Sequence, residues 1–413
     1  MYYYQDTETF AYTFCSHLPD LPYPKVSAPP VTGDMIYFFR RPPLQGRDSF
    51  AVTHPRLLTD REGVETLSTD RLPARETDPI LLDAISGGRV RAVNLDHPRW
   101  RELLLPFPGP GKKRVHLLAL GDVGSTLLTG LRLMGGDVIS SLGICDVRPG
   151  VADRWAFELN QIALPWDYDA LPAVEIISPE QLFDCDVFLF CASRFVPDTA
   201  VKTGDVRMAQ YELNRELVVQ YARQARKAKF HGLFCVVSDP VDPLCRAALT
   251  ESNRDETGAF DGLGLTTRQV KGFGLGVMNA RAAYYAKRDP RFASFLIEGR
   301  SFGPHGNGLV IANSIEHYDD AISRELTART VHANLEMREM GFKPYVAPAL
   351  SSGALSLLLC LRGEWHCSSV YLGGVFMGVK NRLLGDVAVE QLPLPDALYR
   401  RLQNTARDLS EIL

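Results

Sequence analysis

At 413 residues the chain is too long for one ordinary core and predicts two or three folding units. Hydrophobic residues make up 46% and charged residues 23%, the mix of a globular protein that lives in water. A net charge of −4 gives no basis for binding polyanions, so no nucleic-acid partner is expected.

The longest apolar run, residues 354–361, falls far short of the roughly 20 residues that cross a bilayer. Arg362 and Glu364 close it, so no membrane partner is expected either. The opening Met1-Tyr2-Tyr3-Tyr4-Gln5-Asp6 has neither the basic nor the apolar stretch of a signal peptide, which points to the cytoplasm. None of the eight cysteines stands at C-x-x-C spacing, which predicts buried free thiols in a reducing compartment and no metal site.

Residues 1–112 are rich in proline, at 19, 22, 24, 29, 30, 42 and 43, and show little helical periodicity. Short apolar runs at 35–39 and 49–52 predict strands in a small, mostly extended N-terminal domain or a wrapping arm of unknown role. Tyr2, Tyr3, Tyr4, Tyr12 and Phe14 read as residues that pack on a core rather than line a site. The Pro/Gly-rich segment 106–113 marks a boundary.

From Arg114 the pattern becomes short apolar runs alternating with amphipathic stretches, the mark of βαβ units over a parallel sheet. The runs are 115–120, 138–145, 174–177, 187–191 and 233–237, with a helix predicted over 207–229. After the first run comes Ala119-Leu120-Gly121-Asp122-Val123-Gly124, a G-x-G-x-x-G variant leading into a helix over 125–134. In that motif the middle glycine lets backbone approach a pyrophosphate, and the last lets helix and strand pack closely. Gly121 and Gly124 keep these roles, while Ala119 replaces the first glycine and weakens the tight turn.

Asp146 ends the second run, where an acidic side chain holds the ribose hydroxyls of NAD and repels a 2′-phosphate. Arg148, two residues on, works in the opposite sense and favours NADP. The balance favours a doubly wound, Rossmann-type NAD-binding domain over 113–242, with Gly121, Asp122, Val123, Gly124 and Asp146 on the cofactor.

Further along, Arg207 followed seven residues later by Asn214, then Val237-Ser238-Asp239-Pro240-Val241-Asp242, Met278-Asn279-Ala280-Arg281 and Gly303-Pro304-His305-Gly306-Asn307 stand in an order that resembles the lactate/malate dehydrogenase family. The resemblance covers about 114–413 and leaves the first 112 residues outside it. It implies an NAD-dependent oxidoreductase acting on a 2-hydroxy or 2-oxo acid, a small anionic substrate, with an α+β substrate domain over 243–413. It implies His305 as acid/base, Arg281 as clamp on the substrate carboxylate, Arg207 as the loop arginine that polarises the carbonyl, and Asn214 beside the cofactor. A homo-oligomer is implied as well.

Three departures stand out. The aspartate that partners the family's histidine is here Met278, which accepts no N–H as a carboxylate does. The turn asparagine is Asp239, which either repels an anionic substrate or replaces the missing carboxylate from another side. The substrate loop after Ala192 is longer than the family's common form, with Arg194, Val201 and Lys202 as contenders for its specificity position, and an insertion at 251–264 is expected to remodel a second rim of the site. Lys343 falls where the family faces the far end of the substrate, and a cation there suits a dicarboxylate. Met278 and Asp239 also suit a different reading, a dehydrogenase-like chain that keeps NAD(H) binding as a sensor or interaction module and has lost turnover.

Overall fold

The computed structural model describes residues 2–5, 12–15, 21, 23–29, 33–74, 76–194 and 205–412, with the side chains of 12–15 and 205–209 outside that description. Six short strands lie parallel: β1 (Lys113–Leu118), β2 (Ile139–Cys145), β3 (Ala173–Ile176), β4 (Val187–Phe190), β5 (Leu233–Val236) and β6 (Val270–Gly272). Their order across the sheet is β3-β2-β1-β4-β5-β6, the doubly wound arrangement expected from the alternating pattern. Every residue of β4 and β5 is apolar and buried, because helices cover both faces of such a sheet.

The connecting helices are α1 (Asp122–Met134), α2 (Val151–Asn160), α3 (Asp205–Lys227), α4 (Val241–Ser252), α5 (Leu275–Ala286) and α6 (Asp320–Glu339), with α7 (Asp396–Glu411) last. No helix among the described residues is long and apolar enough to cross a membrane.

Beyond the parallel strands the chain continues as the expected mix of helices and antiparallel strands. β7 (His366–Leu372), β8 (Val375–Leu383) and β9 (Val387–Val389) run antiparallel and extend the same sheet, β7 joining β6 through Gly272 and Ser369. The physical reason is that β6 would otherwise be a bare edge with unpaired N–H and C=O groups.

The N-terminal region forms a second, six-stranded sheet around Met35–Phe39, all of whose residues are buried. Met35, Tyr37 and Phe39 pack with Leu81 and Ile85 of the helix Pro79–Ser86. Ile36 and Phe38 face the opposite side with Tyr4 and Leu103. Tyr4 and Tyr3 are thus core residues of this sheet, and Tyr2 lies under the Lys25 ammonium.

Reciprocal bonds fasten this sheet to the larger one: Asp48 N–H donates to Thr267 Oγ1 at 2.8 Å, and Thr267 N–H donates to Asp48 Oδ2 at 2.9 Å. Arg268 caps the carbonyls of Glu102, Leu103 and Leu105. Thr267 and Arg268 precede β6, so the second sheet sits at the amino ends of the parallel strands. The insertion at 251–264 lies there too, with Arg99 donating to the Gly264 carbonyl and Pro98 against Gly262. It docks the N-terminal sheet and is not a rim of the active site, because α4 starts at the carboxyl end of β5 and carries the chain back to the amino edge.

Among the described residues, three histidines are buried. Burial lowers the pKa of His97 and His116, and burial followed by the nearby Lys271 ammonium pushes His366 down to about 3. All three shifts act in one direction: the unfolded chain takes up protons near 6.5 that the folded chain takes up at lower pH, as at His366, so stability falls as pH drops below about 6.5. Replacing His366 by glutamine should make the fall in unfolding free energy between pH 6 and 4 shallower by about 1.4 kcal/mol per pH unit, as read by denaturant titration at each pH.

Candidate active site at the carboxyl ends of the strands

The turn after β1 shows why glycine recurs there. Ala119 adopts φ +74°, the left-handed conformation that the motif's first glycine supplies freely, so the tight turn is kept in spite of the alanine. At Gly124 an added Cβ would lie 2.0 Å from the Ala119 carbonyl oxygen, so only glycine lets α1 pack on the turn. At Gly121, the N-cap of α1, a Cβ would meet nothing within 4 Å. No side chain caps this helix start. An uncapped helix N-terminus beside open space fits the pyrophosphate of a dinucleotide.

Asp146 follows β2 as expected, but its carboxylate is taken up by the protein. Oδ2 accepts from Leu120 N–H at 2.6 Å, Oδ1 from Arg148 N–H at 2.9 Å, and the Arg148 guanidinium grips both oxygens at 3.0 Å. Burial works to raise the Asp146 pKa, yet these bonds hold it below the usual carboxylate value. Lys343 also departs from expectation: its ammonium pairs with Asp122 at 3.0 Å, at the glycine turn rather than the far end of a substrate.

Next to the turn, the loops after β5 and β6 and the hairpin of Arg300–Phe302 and Val310–Ala312 meet. His305 lies in that hairpin's loop, its Nδ1 3.0 Å from Asp239 Oδ1. Asp239 thus reaches the imidazole from the β5 turn. Met278, where the family's carboxylate would be, is 1% exposed and part of the apolar cluster around α5.

Gly274 allows the approach, since a Cβ there would lie 3.0 Å from that of His305. Ser352 secures this corner by donating to the Gly274 carbonyl and accepting from Val277 N–H. Arg281, on α5, is half-buried, and its recorded polar contact is the Met278 sulfur at 3.6 Å. Burial lowers its pKa, while Tyr285 and Asp239 act in the opposite direction.

Asn214, expected on the cofactor, is 0% exposed, donates its amide to the Asp239 carbonyl at 2.9 Å and accepts from the Ser193 hydroxyl and from Arg194 N–H. A buried side chain with its groups engaged positions the turn and has no free face for a ligand. Arg207 falls in the first turns of α3, but its side chain lies outside the described residues, as do Val201 and Lys202. Arg194 pairs with Glu216.

Sequence reasoning gave no role to Asp242, which is fully buried, hydrogen-bonded by Ser369, and pushed by burial up to about 7. The Ser193 and Ser352 anchors went unread because a lone serine carries no pattern, whether in a loop like Ser193 or in the helical segment Pro348–Leu355 like Ser352.

Comparison with known proteins finds relatives of low identity to this chain. No family model matches it. It is 24% identical to the L-lactate dehydrogenase of Mesomycoplasma hyopneumoniae over 201 residues, 49% of this chain and 58% of that enzyme, so the chain spans little more than half of that relative's length. It is 23% identical to the L-lactate dehydrogenase of Staphylococcus epidermidis over 326 residues, 72% of this chain and 96% of that enzyme. The malate dehydrogenase of Archaeoglobus fulgidus, solved with NADH, superposes with a TM-score of 0.56 at 17% identity, covering 73% of this chain and 98% of that one.

Strain at the turn makes a stability prediction. Ala119→Gly should stabilise the chain by about 0.5–1 kcal/mol in denaturant unfolding, the relief of a left-handed alanine less the added freedom of the unfolded glycine. Gly124→Ala should lower the melting temperature sharply, because the clash is with backbone and has no flexible side chain to move.

Proposed function

We propose that this chain, a divergent member of the lactate/malate dehydrogenase family, is an NAD-dependent oxidoreductase that interconverts a small 2-hydroxy acid and its 2-oxo acid. The observation that carries the reading is the meeting of a half-buried guanidinium, Arg281, with the His305–Asp239 pair beside a glycine turn suited to a dinucleotide.

Arg281 clamps the substrate carboxylate. A planar guanidinium offers two parallel N–H bonds to a carboxylate, and burial makes an anionic partner more valuable to it than water. Asp239 holds the Nδ1 proton of His305, which fixes the ring tautomer and leaves Nε2 to serve the reacting oxygen. In the reductive direction Nε2 gives its proton to the oxygen that becomes the hydroxyl, and in the oxidative direction it takes that proton back. The resulting imidazolium is stabilised by the Asp239 carboxylate, which in turn spends its charge on the ring rather than on repelling the substrate. Arg207 supplies the second cation, on the substrate carbonyl, from the start of α3.

Gly121, Asp122, Val123 and Gly124 would hold the pyrophosphate of NAD, and the Asp146–Arg148 pair would lie at its adenosine ribose. When bound, the nicotinamide supplies the hydride to the carbonyl carbon or accepts it back. A second reading, NAD(H) binding without turnover, draws on Met278, which removes the carboxylate from its usual helix.

Absorbance at the nicotinamide band with NADH and a panel of 2-oxo acids separates the two. The expected result is turnover by the wild type, reduced on the order of 100-fold or more in kcat by His305→Asn. Arg281→Gln should lower kcat/KM by a similar factor. NADH binding by the wild type with no turnover of any 2-oxo acid would favour the second reading.

A further inference from the structure

The adenosine-ribose end of the dinucleotide site differs from what its acidic residue alone suggests. An aspartate at the end of the second strand selects for NAD in two ways: its oxygens accept the ribose hydroxyls, and its charge repels a 2′-phosphate. Both require a free carboxylate. Here Asp146 accepts four hydrogen bonds from protein, and its side chain is only 2% exposed. Three of the four come from Arg148, whose side chain is 57% exposed. The group that meets solvent at this position is therefore a guanidinium. Its five N–H donors exceed what the grip on Asp146 uses, so it can keep that grip and still present donors outward.

A second cation stands nearby. The Lys343 ammonium neutralises Asp122, the other acidic residue at the glycine turn. Both carboxylates that would oppose a phosphate-rich ligand are thus paired with cations, one from the strand-end loop and one from a loop over two hundred residues away.

We propose that Arg148 turns the ribose subsite into one that takes a 2′-phosphate, so that the chain binds NADP(H) as well as NAD(H). This rests on the dinucleotide reading of the glycine turn. A phosphate monoester at the ribose 2′ position meets a planar, fork-shaped donor whose own counter-ion is buried beneath it, and arginine pairs with phosphate bidentately.

Fluorescence titration of the full chain with NADH and with NADPH tests this, using wild type, Arg148→Gln, and Arg154→Gln as a control. Arg154 is an exposed arginine on α2 paired with Glu158, away from the subsite. The expected result is that wild type binds the two nucleotides within about tenfold of each other. Arg148→Gln should then raise the ratio of the NADPH to the NADH dissociation constant at least tenfold, and Arg154→Gln should leave the ratio as it was. Tight NADH binding with NADPH more than a hundredfold weaker in the wild type would overturn the inference and leave the proposed function standing. An equal shift in both arginine variants would also overturn it, as a general effect of charge. Binding of neither nucleotide would overturn the proposed function and this inference together.

Discussion

An imidazole keeps one orientation only when a ring nitrogen is held, and the proposed role of His305 depends on the 3.0 Å contact between its Nδ1 and Asp239. Much of the surrounding structure can be read as what that contact requires. Asn214 fixes the Asp239 carbonyl from α3, Ser352 fixes the Gly274 carbonyl that borders the histidine, and glycine at 274 allows the two backbones to come close enough. The carboxylate that reaches the imidazole stands on a turn, not on the helix Leu275–Ala286. Methionine at 278 then becomes an ordinary core residue packed with Leu275 and Ala282.

Such a contact is possible because a parallel sheet gathers segments distant in sequence at the carboxyl ends of its strands. The opposite, amino edge has a different task. There the N-terminal sheet is clamped through Asp48, Thr267 and Arg268, and Glu62 is buried between Arg41 and Arg47. The extra region and the insertion at 251–264 thus add mass to the chain without approaching the acid/base pair.

Much of this was legible in the sequence. Five of the six parallel strands announce themselves as short apolar runs, since strands covered on both faces cannot alternate, and their limits fell within two residues of those observed, while the three-residue strand Val270–Gly272 is too short to stand out. The left-handed turn at Ala119 was readable from the motif although the residue was not the usual one, because position in the motif outweighs the modest cost of an alanine there. Side-chain partnerships were far less legible. Nothing in the spacing of Asp146 and Arg148 says that one covers the other, and nothing in Lys343 points to Asp122, because such contacts are fixed by three-dimensional packing across loops. The bond from Asn214 to the Asp239 carbonyl was hidden for the same reason, since the two residues are brought together only by the fold.

The most direct test of the account is the steady-state kinetics of Asp239→Asn with NADH and the 2-oxo acid turned over best by the wild type. Asparagine keeps the shape of the turn and its bond from Asn214 but removes the carboxylate from the imidazole. The account predicts a loss in kcat on the order of 100-fold, with NADH affinity kept and KM changed little. An unchanged kcat would contradict it, since His305 would then be working without the partner to which its orientation is assigned.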